Sequence, residues 1–266
     1  MTRARGNVRG LALILLCMLA TSQPSAPAQA QPRPGAAPAP QPPRDSAPFD
    51  MTGTWVSIVN EDWRWRMVTP PKGDTTSVQP LNAQGRAATE AWDPAQDGSC
   101  KAYGAPALLR MPTRLRISWE GADVLKIETD AGKQTRLLRF AQAAAPSAAA
   151  PSLQGDSRAE WQRSLRRVSG LGPPPPGPPP PGGSLKVTTT NLSAGWLRRN
   201  GVPYSERTTL TEYFDQFAAP NGAEWLVVTT IVEDPTYLTG RFVTSSHFRR
   251  EPNASKWSPK PCRSDP

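Results

Sequence analysis

Between positions 61 and 67 the chain reads Glu61-Asp62-Trp63-Arg64-Trp65-Arg66-Met67, its densest meeting of charged and aromatic residues. A guanidinium fork matches the oxygens of a carboxylate or phosphate, so two arginines beside indoles could clamp an anion. Read as a strand, the segment puts Trp63, Trp65 and Met67 on one face and Asp62, Arg64 and Arg66 on the other. The same alternation also describes plain structure, with indoles in a core and charges in a solvated cross-strand ladder. A second stretch, Gly195-Trp196-Leu197-Arg198-Arg199-Asn200-Gly201, sets an aromatic beside two arginines between glycines. Such a loop at a barrel mouth would meet a ligand or an anionic surface, although it also reads as an ordinary connection.

Catalytic patterns are thinner. His247 is the only histidine, with Ser245 two residues before it and Glu233-Asp234 in the preceding connection. A Ser-His-Asp set can be drawn from these residues, but no G-x-S-x-G elbow accompanies it. Glu212, Glu233 and Asp234 supply acids for glycoside cleavage, yet Asp234-Pro235 reads first as a turn. With one histidine, a zinc site lacks its usual three or four ligands. The sequence therefore assigns no catalytic residue, no metal and no cofactor.

The elements that hold these residues begin after an expected leader. Arg3, Arg5 and Arg9 precede the ten-residue apolar run 11–20, which is short of the roughly 20 residues that cross a hydrocarbon layer. Ala28-Gln29-Ala30 then offers a cleavage point between Ala30 and Gln31, the order of a secretory signal peptide. Residues 1–30 are expected to be a signal peptide, 31–48 a Pro-rich disordered linker, 49–262 one domain and 263–266 a tail. Low-complexity insertions are expected at about 141–151 and 170–183. Seven prolines fall in 32–48, and 173–181 is eight prolines around one glycine, compositions that make extended spacers.

Removing residues 1–30 takes away three arginines and no acid, so the formal charge of +9 falls to +6. The remaining basic residues are scattered among acids rather than gathered in a stripe, which argues against nucleic acid. Export implies a periplasmic or secreted protein with no membrane span after cleavage. It also implies pairing of Cys100 with Cys262, the two cysteines left once Cys17 is removed.

Inside 49–262 the dominant period is two. In 114–120 (RLRISWE), Leu115, Ile117 and Trp119 share a face. The segment 124–129 repeats the pattern after the turn Glu120-Gly121-Ala122-Asp123, and 133–140, 185–191, 208–217, 225–233 and 242–248 read as further strands. Asn82 caps an expected helix over 82–92. Eight to ten short strands with one short helix predict a mainly β, antiparallel, barrel-like domain or, failing that, a sandwich.

Two sets of segments resemble a widespread family of uncharacterised exported bacterial proteins. One set is Cys100-Lys101-Ala102-Tyr103-Gly104-Ala105-Pro106 with Arg110-Met111-Pro112. The other includes Gly155-Asp156-Ser157, Asn200-Gly201-Val202-Pro203-Tyr204-Ser205, Leu210-Thr211-Glu212-Tyr213-Phe214 and Glu233-Asp234-Pro235. The resemblance implies a secreted β-rich domain and brings no activity with it. Gly53-Thr54-Trp55 is also similar to the G-x-W opening of lipocalin-like barrels, in which the Trp plugs one barrel end.

The leading expectation is a non-enzymatic, monomeric barrel that binds a small amphipathic molecule in its interior. Trp55, Trp63 and Trp65 would line the pocket, with Arg64, Arg66 or Glu212 as polar anchors. The alternatives are a cell-envelope interaction protein that uses its Pro-rich segments, and a hydrolase centred on His247.

Overall fold

The computed structural model describes residues 41–78, 80–97, 100–141, 150–163 and 182–262, all within the compact unit 40–266. The signal peptide, most of the 31–48 linker, the greater part of both insertions, the 173–181 run and the 263–266 tail lie outside them.

The strands are β1 (Gly53–Ile58), β2 (Arg114–Glu120), β3 (Val124–Thr129), β4 (Ala131–Gly132), β5 (Thr135–Phe140), β6 (Asp156–Arg163) and β7 (Gly183–Thr190). They continue as β8 (Gly195–Trp196), β9 (Pro203–Tyr204), β10 (Thr209–Ala218), β11 (Glu224–Glu233), β12 (Phe242–Glu251) and β13 (Lys260–Pro261). Nine of these close a barrel in the order β1-β12-β11-β10-β7-β6-β5-β3-β2. The chain thus winds round the barrel in sequence order, with the two short pairs β4–β13 and β8–β9 set aside. Nine strands cannot all alternate in direction around a closed ring. The exception falls at β5 and β6, which pair in parallel through Leu138↔Ser157 and Phe140↔Ala159. Every other barrel pair is antiparallel.

Period-two patterning produces this wall because alternate side chains point to opposite faces. Leu115 and Ile117 of β2, Leu125 and Ile127 of β3, Leu185 and Val187 of β7, and Phe214 of β10 all point inward and are buried. Trp55 is fully buried with them; its indole N–H donates to Met51 O at 2.9 Å, and the Arg250 guanidinium lies 4.4 Å from its ring centre. The lumen is filled by the protein's own side chains.

A polar belt crosses that lumen. Arg136 of β5 and Glu212 of β10, both fully buried, form a bidentate pair with N–O distances of 2.9 and 2.6 Å. Thr189 accepts a further bond from Arg136 at 3.3 Å and pairs with Ser157 at 2.7 Å. The belt divides two apolar clusters: the lumen core around Trp55 and Phe214, and a second cluster built on Leu81, Tyr204, Leu210 and Phe242.

The helices are α1 (Trp63–Arg66), α2 (Ala83–Ala91), α3 (Pro94–Asp97) and α4 (Ala105–Leu108). The expected helix is α2, and Asn82 caps it by accepting from Gly85 N–H at 2.9 Å. Three single-turn helices accompany it where one helix was expected. The 61–67 segment is not a strand: Trp63–Arg66 is a helical turn entered through Asp62 in the left-handed region at φ 51°. A run of four alternating residues fits either period, and here Arg66 decides, because its side chain is buried with Nε 2.7 Å from Arg110 O. None of the helices among the described residues is long and apolar enough to cross a membrane.

The two barrel ends are closed differently. One is covered by residues 41–52, so the chain joins the fold well before the boundary at 48 expected for the linker. Pro43 O accepts from the Trp161 indole at 2.8 Å, and Ser46 O accepts from Arg163 at 2.7 Å. Under this strap Phe49, Trp161, Phe140 and Trp119 form a chain of ring contacts 5.4 to 5.7 Å apart. The opposite end is covered by 59–78, 80–97, 100–113, 191–208 and 234–241. A disulfide joins Cys100 of this cap to Cys262, with Cα atoms 5.5 Å apart, a separation natural to the bond. The C-terminal strand β13 pairs beside it with β4.

Candidate functional site

The cap end gathers three arginines from three separate parts of the chain. Arg66 comes from the end of α1, Arg110 from the turn after α4, and Arg198 from the loop after β8. Their relative exposures are 7%, 4% and 5%. Long cations are seldom buried so deeply unless paired.

The loop carrying Arg198 is held from both sides. Asn200 donates to Pro71 O and to Asp74 O, each at 2.9 Å. Gly201 takes a φ of +81° and lies so close to Trp92 that a Cβ would fall 2.1 Å from the ring. Only glycine fits there. Arg198 is aimed by Ser77, whose Oγ accepts from Nε at 3.0 Å. Phe242, at the start of β12, offers its ring to both Arg110 and Arg198, with guanidinium carbons 5.7 and 5.9 Å from the centroid. Such stacking steadies a desolvated cation.

Compensation by acids is sparse. Asp62 accepts from Arg110 Nη2 at 2.6 Å and lies 3.8 Å from Arg198 Nη2. Arg66 is met by neutral carbonyl oxygens, those of Arg110 at 2.7 Å and Glu61 at 3.4 Å. Arg66 Nη2 and Arg110 Nε are buried with no hydrogen-bond partner among the described residues. The energetic signature agrees. Burial, and then the Arg110 charge, pull the Arg66 pKa down to about 10 and that of Arg198 to about 9. Burial lowers Arg110 as well, against the opposing pull of Asp62. All three remain charged at neutral pH.

These residues line a cleft together with Trp65, Met67, Val68, Leu197 and Arg199. Its volume, about 40 Å³, is the room of about three water molecules. Three of the five large hydrophobic side chains that stand exposed among the described residues, Trp63, Met67 and Val68, come from this one segment. The cleft is a basic floor with an apolar rim.

The pocket expected from Trp55, Trp63, Trp65, Arg64, Arg66 and Glu212 is not brought together. Trp55 lies in the lumen, Glu212 is committed to Arg136, and Trp63 and Arg64 face solvent. Trp65 and Arg66 do line the cleft, and they meet there the Arg198 loop read as a separate candidate. Arg110 and Phe242 complete the arrangement. Sequence spacing tied neither of them to Arg66.

The remaining acids are structural. Asp234 is buried and accepts from Ser205 N–H and Oγ, Thr208 Oγ1 and Thr236 N–H, so it organises a turn. Glu233 is paired with Arg241 at 2.8 Å. His247 does touch Ser245 (Nε2 to Oγ, 3.1 Å) and Asn60 (Nδ1 to Oδ1, 2.5 Å). Ser245 nevertheless sits on the outer face of a regular strand opposite Thr229, not on a turn that would present its oxygen beside paired amide donors.

Comparison with protein-family models, curated proteins and solved structures returns no match for this chain, so the chemistry of the cleft carries the functional reading.

Proposed function

We propose that this chain is an exported, non-enzymatic binding protein that holds a small amphipathic anion in the arginine cleft at the cap end of its barrel. The observation that carries the reading is the trio Arg66, Arg110 and Arg198 lining one cleft: three buried guanidiniums with, among the described residues, one contacting carboxylate and two unpartnered N–H groups. An anion would supply the missing acceptors and charge. The exposed Met67 and Val68 beside the cleft would cover an apolar body. The barrel serves as a packed scaffold, and the binding site moves from the lumen to the mouth. Export is supported by the leader pattern and by the Cys100–Cys262 bond, which suits an oxidising compartment. The lipocalin-like reading is supported by sequential winding and a buried Trp55.

Hexyl sulfate, followed by calorimetry and by Trp65 fluorescence, tests the site. Saturable one-to-one binding that weakens at least tenfold in both Arg66→Gln and Arg198→Gln is expected. Binding unaffected by either substitution would refute it.

A further inference from the structure

We infer that the head group this cleft accepts is a dianion, a phosphate monoester, in preference to a carboxylate or sulfate; the inference rests on the cleft being an anion site. The charge count comes first. Among the described residues the carboxylate in contact with the trio is that of Asp62, at 2.6 Å from Arg110 and 3.8 Å from Arg198. Arg66 meets neutral carbonyl oxygens. The Glu61 carboxylate turns toward His247, 3.7 Å away, makes no direct contact with the trio, and is the weakest of the influences acting on Arg66 and Arg110. Three buried positive charges against the one carboxylate in contact with them leave two uncompensated where burial makes each costly; the half-buried Arg199 lies outside this count. A monoanion would leave one standing, whereas a dianion closes the balance.

Shape agrees with charge. One arginine fork is enough to grip the two coplanar oxygens of a carboxylate. Here the donors arrive from three elements, with Arg66 Nη2 and Arg110 Nε still unpartnered, which suits the three terminal oxygens of a phosphate monoester. The cleft's 40 Å³ admits such a head and leaves any tail outside, against Met67 and Val68.

Hexyl phosphate and hexyl sulfate share a tail and a tetrahedral head and differ by one charge at pH 7.5, so the pair isolates the dianion. The phosphate is expected to bind at least tenfold more tightly. Its second ionisation lies near pH 6, so its advantage should vanish as pH falls from 7.5 to 5 while sulfate binding stays level. Arg198→Gln, which removes one positive charge, should narrow the gap between the two. Equal affinities at pH 7.5, or a phosphate affinity flat with pH, would overturn the dianion and leave the anion site intact. If neither ligand binds, both readings fail. Inorganic phosphate separates the sources of the group: tighter hexyl phosphate assigns an amphiphile and equal affinity a free phosphate, with the dianion upheld in either case.

Discussion

The two ends of the barrel meet the same problem, an open mouth, with opposite chemistry. At the strap end, Phe49, Trp161, Phe140 and Trp119 touch in series and two backbone carbonyls of the strap satisfy Trp161 and Arg163. Phe140 is buried and the other three rings half-buried, and burial of such surface is favourable in itself. At the cap end, Arg66, Arg110 and Arg198 are buried more fully than the half-buried Phe49, Trp119 and Trp161, yet among the described residues Asp62 is the one carboxylate in direct contact with them. Burying guanidiniums without matching negative charge opposes folding. The proposed anion would offset this cost at the cap end. The polar belt of Arg136 and Glu212 shows the alternative, a buried cation whose charge is met by a fully buried carboxylate in a bidentate pair.

The contrast can be broken or sharpened by experiment. The largest effect should come from the cap end's covalent tie. Replacing Cys100 and Cys262 by Ala should lower stability by up to about 5 kcal/mol, the chain-entropy figure for so long a loop, read from chemical denaturation. Next is the belt: Glu212→Gln strands Arg136 and should cost about 3–5 kcal/mol, whereas replacing both partners by Leu and Met should cost far less. At the strap end, Phe140→Ala should cost about 3–4 kcal/mol and leave hexyl phosphate affinity unchanged. The smallest stability change belongs to the site. Arg66→Gln should shift unfolding by about 1 kcal/mol or less, in the stabilising direction, because it removes an undercompensated charge. A loss of several kcal/mol there would make Arg66 a structural arginine and erase the difference between the ends.

Much of the wall was legible. Segments 114–120 and 124–129 alternate cleanly, and the turn between them places Gly121 at φ 68°, so local pattern and tertiary burial agree. Strand β6 was harder to see, since its inward residues Ser157 and Ala159 are small and offer little hydropathic contrast with Arg158 and Glu160. The Trp63–Arg66 turn was misread because four residues do not distinguish a period of two from one of 3.6. The site was half legible. Arg66 and Arg198 stand in conspicuous segments, but their meeting depends on how the cap folds over the barrel; Arg110 is marked only as part of the resemblance segment Arg110-Met111-Pro112, and nothing local ties it or Phe242 to the cleft. Glu212 looked like an anchor for a ligand until its partner, 76 residues away, was in view.

The Cys100–Cys262 bond turns 162 residues of sequence separation into a covalent ring. Nearly the whole barrel wall, Arg110, Arg198 and the Pro-rich 170–183 stretch all fall between its two anchors. A protease that cut this interval once would add the mass of one water and release no fragment. The nicked molecule would run as two chains only after reduction, so a processed form of this protein would pass as intact in any oxidising gel.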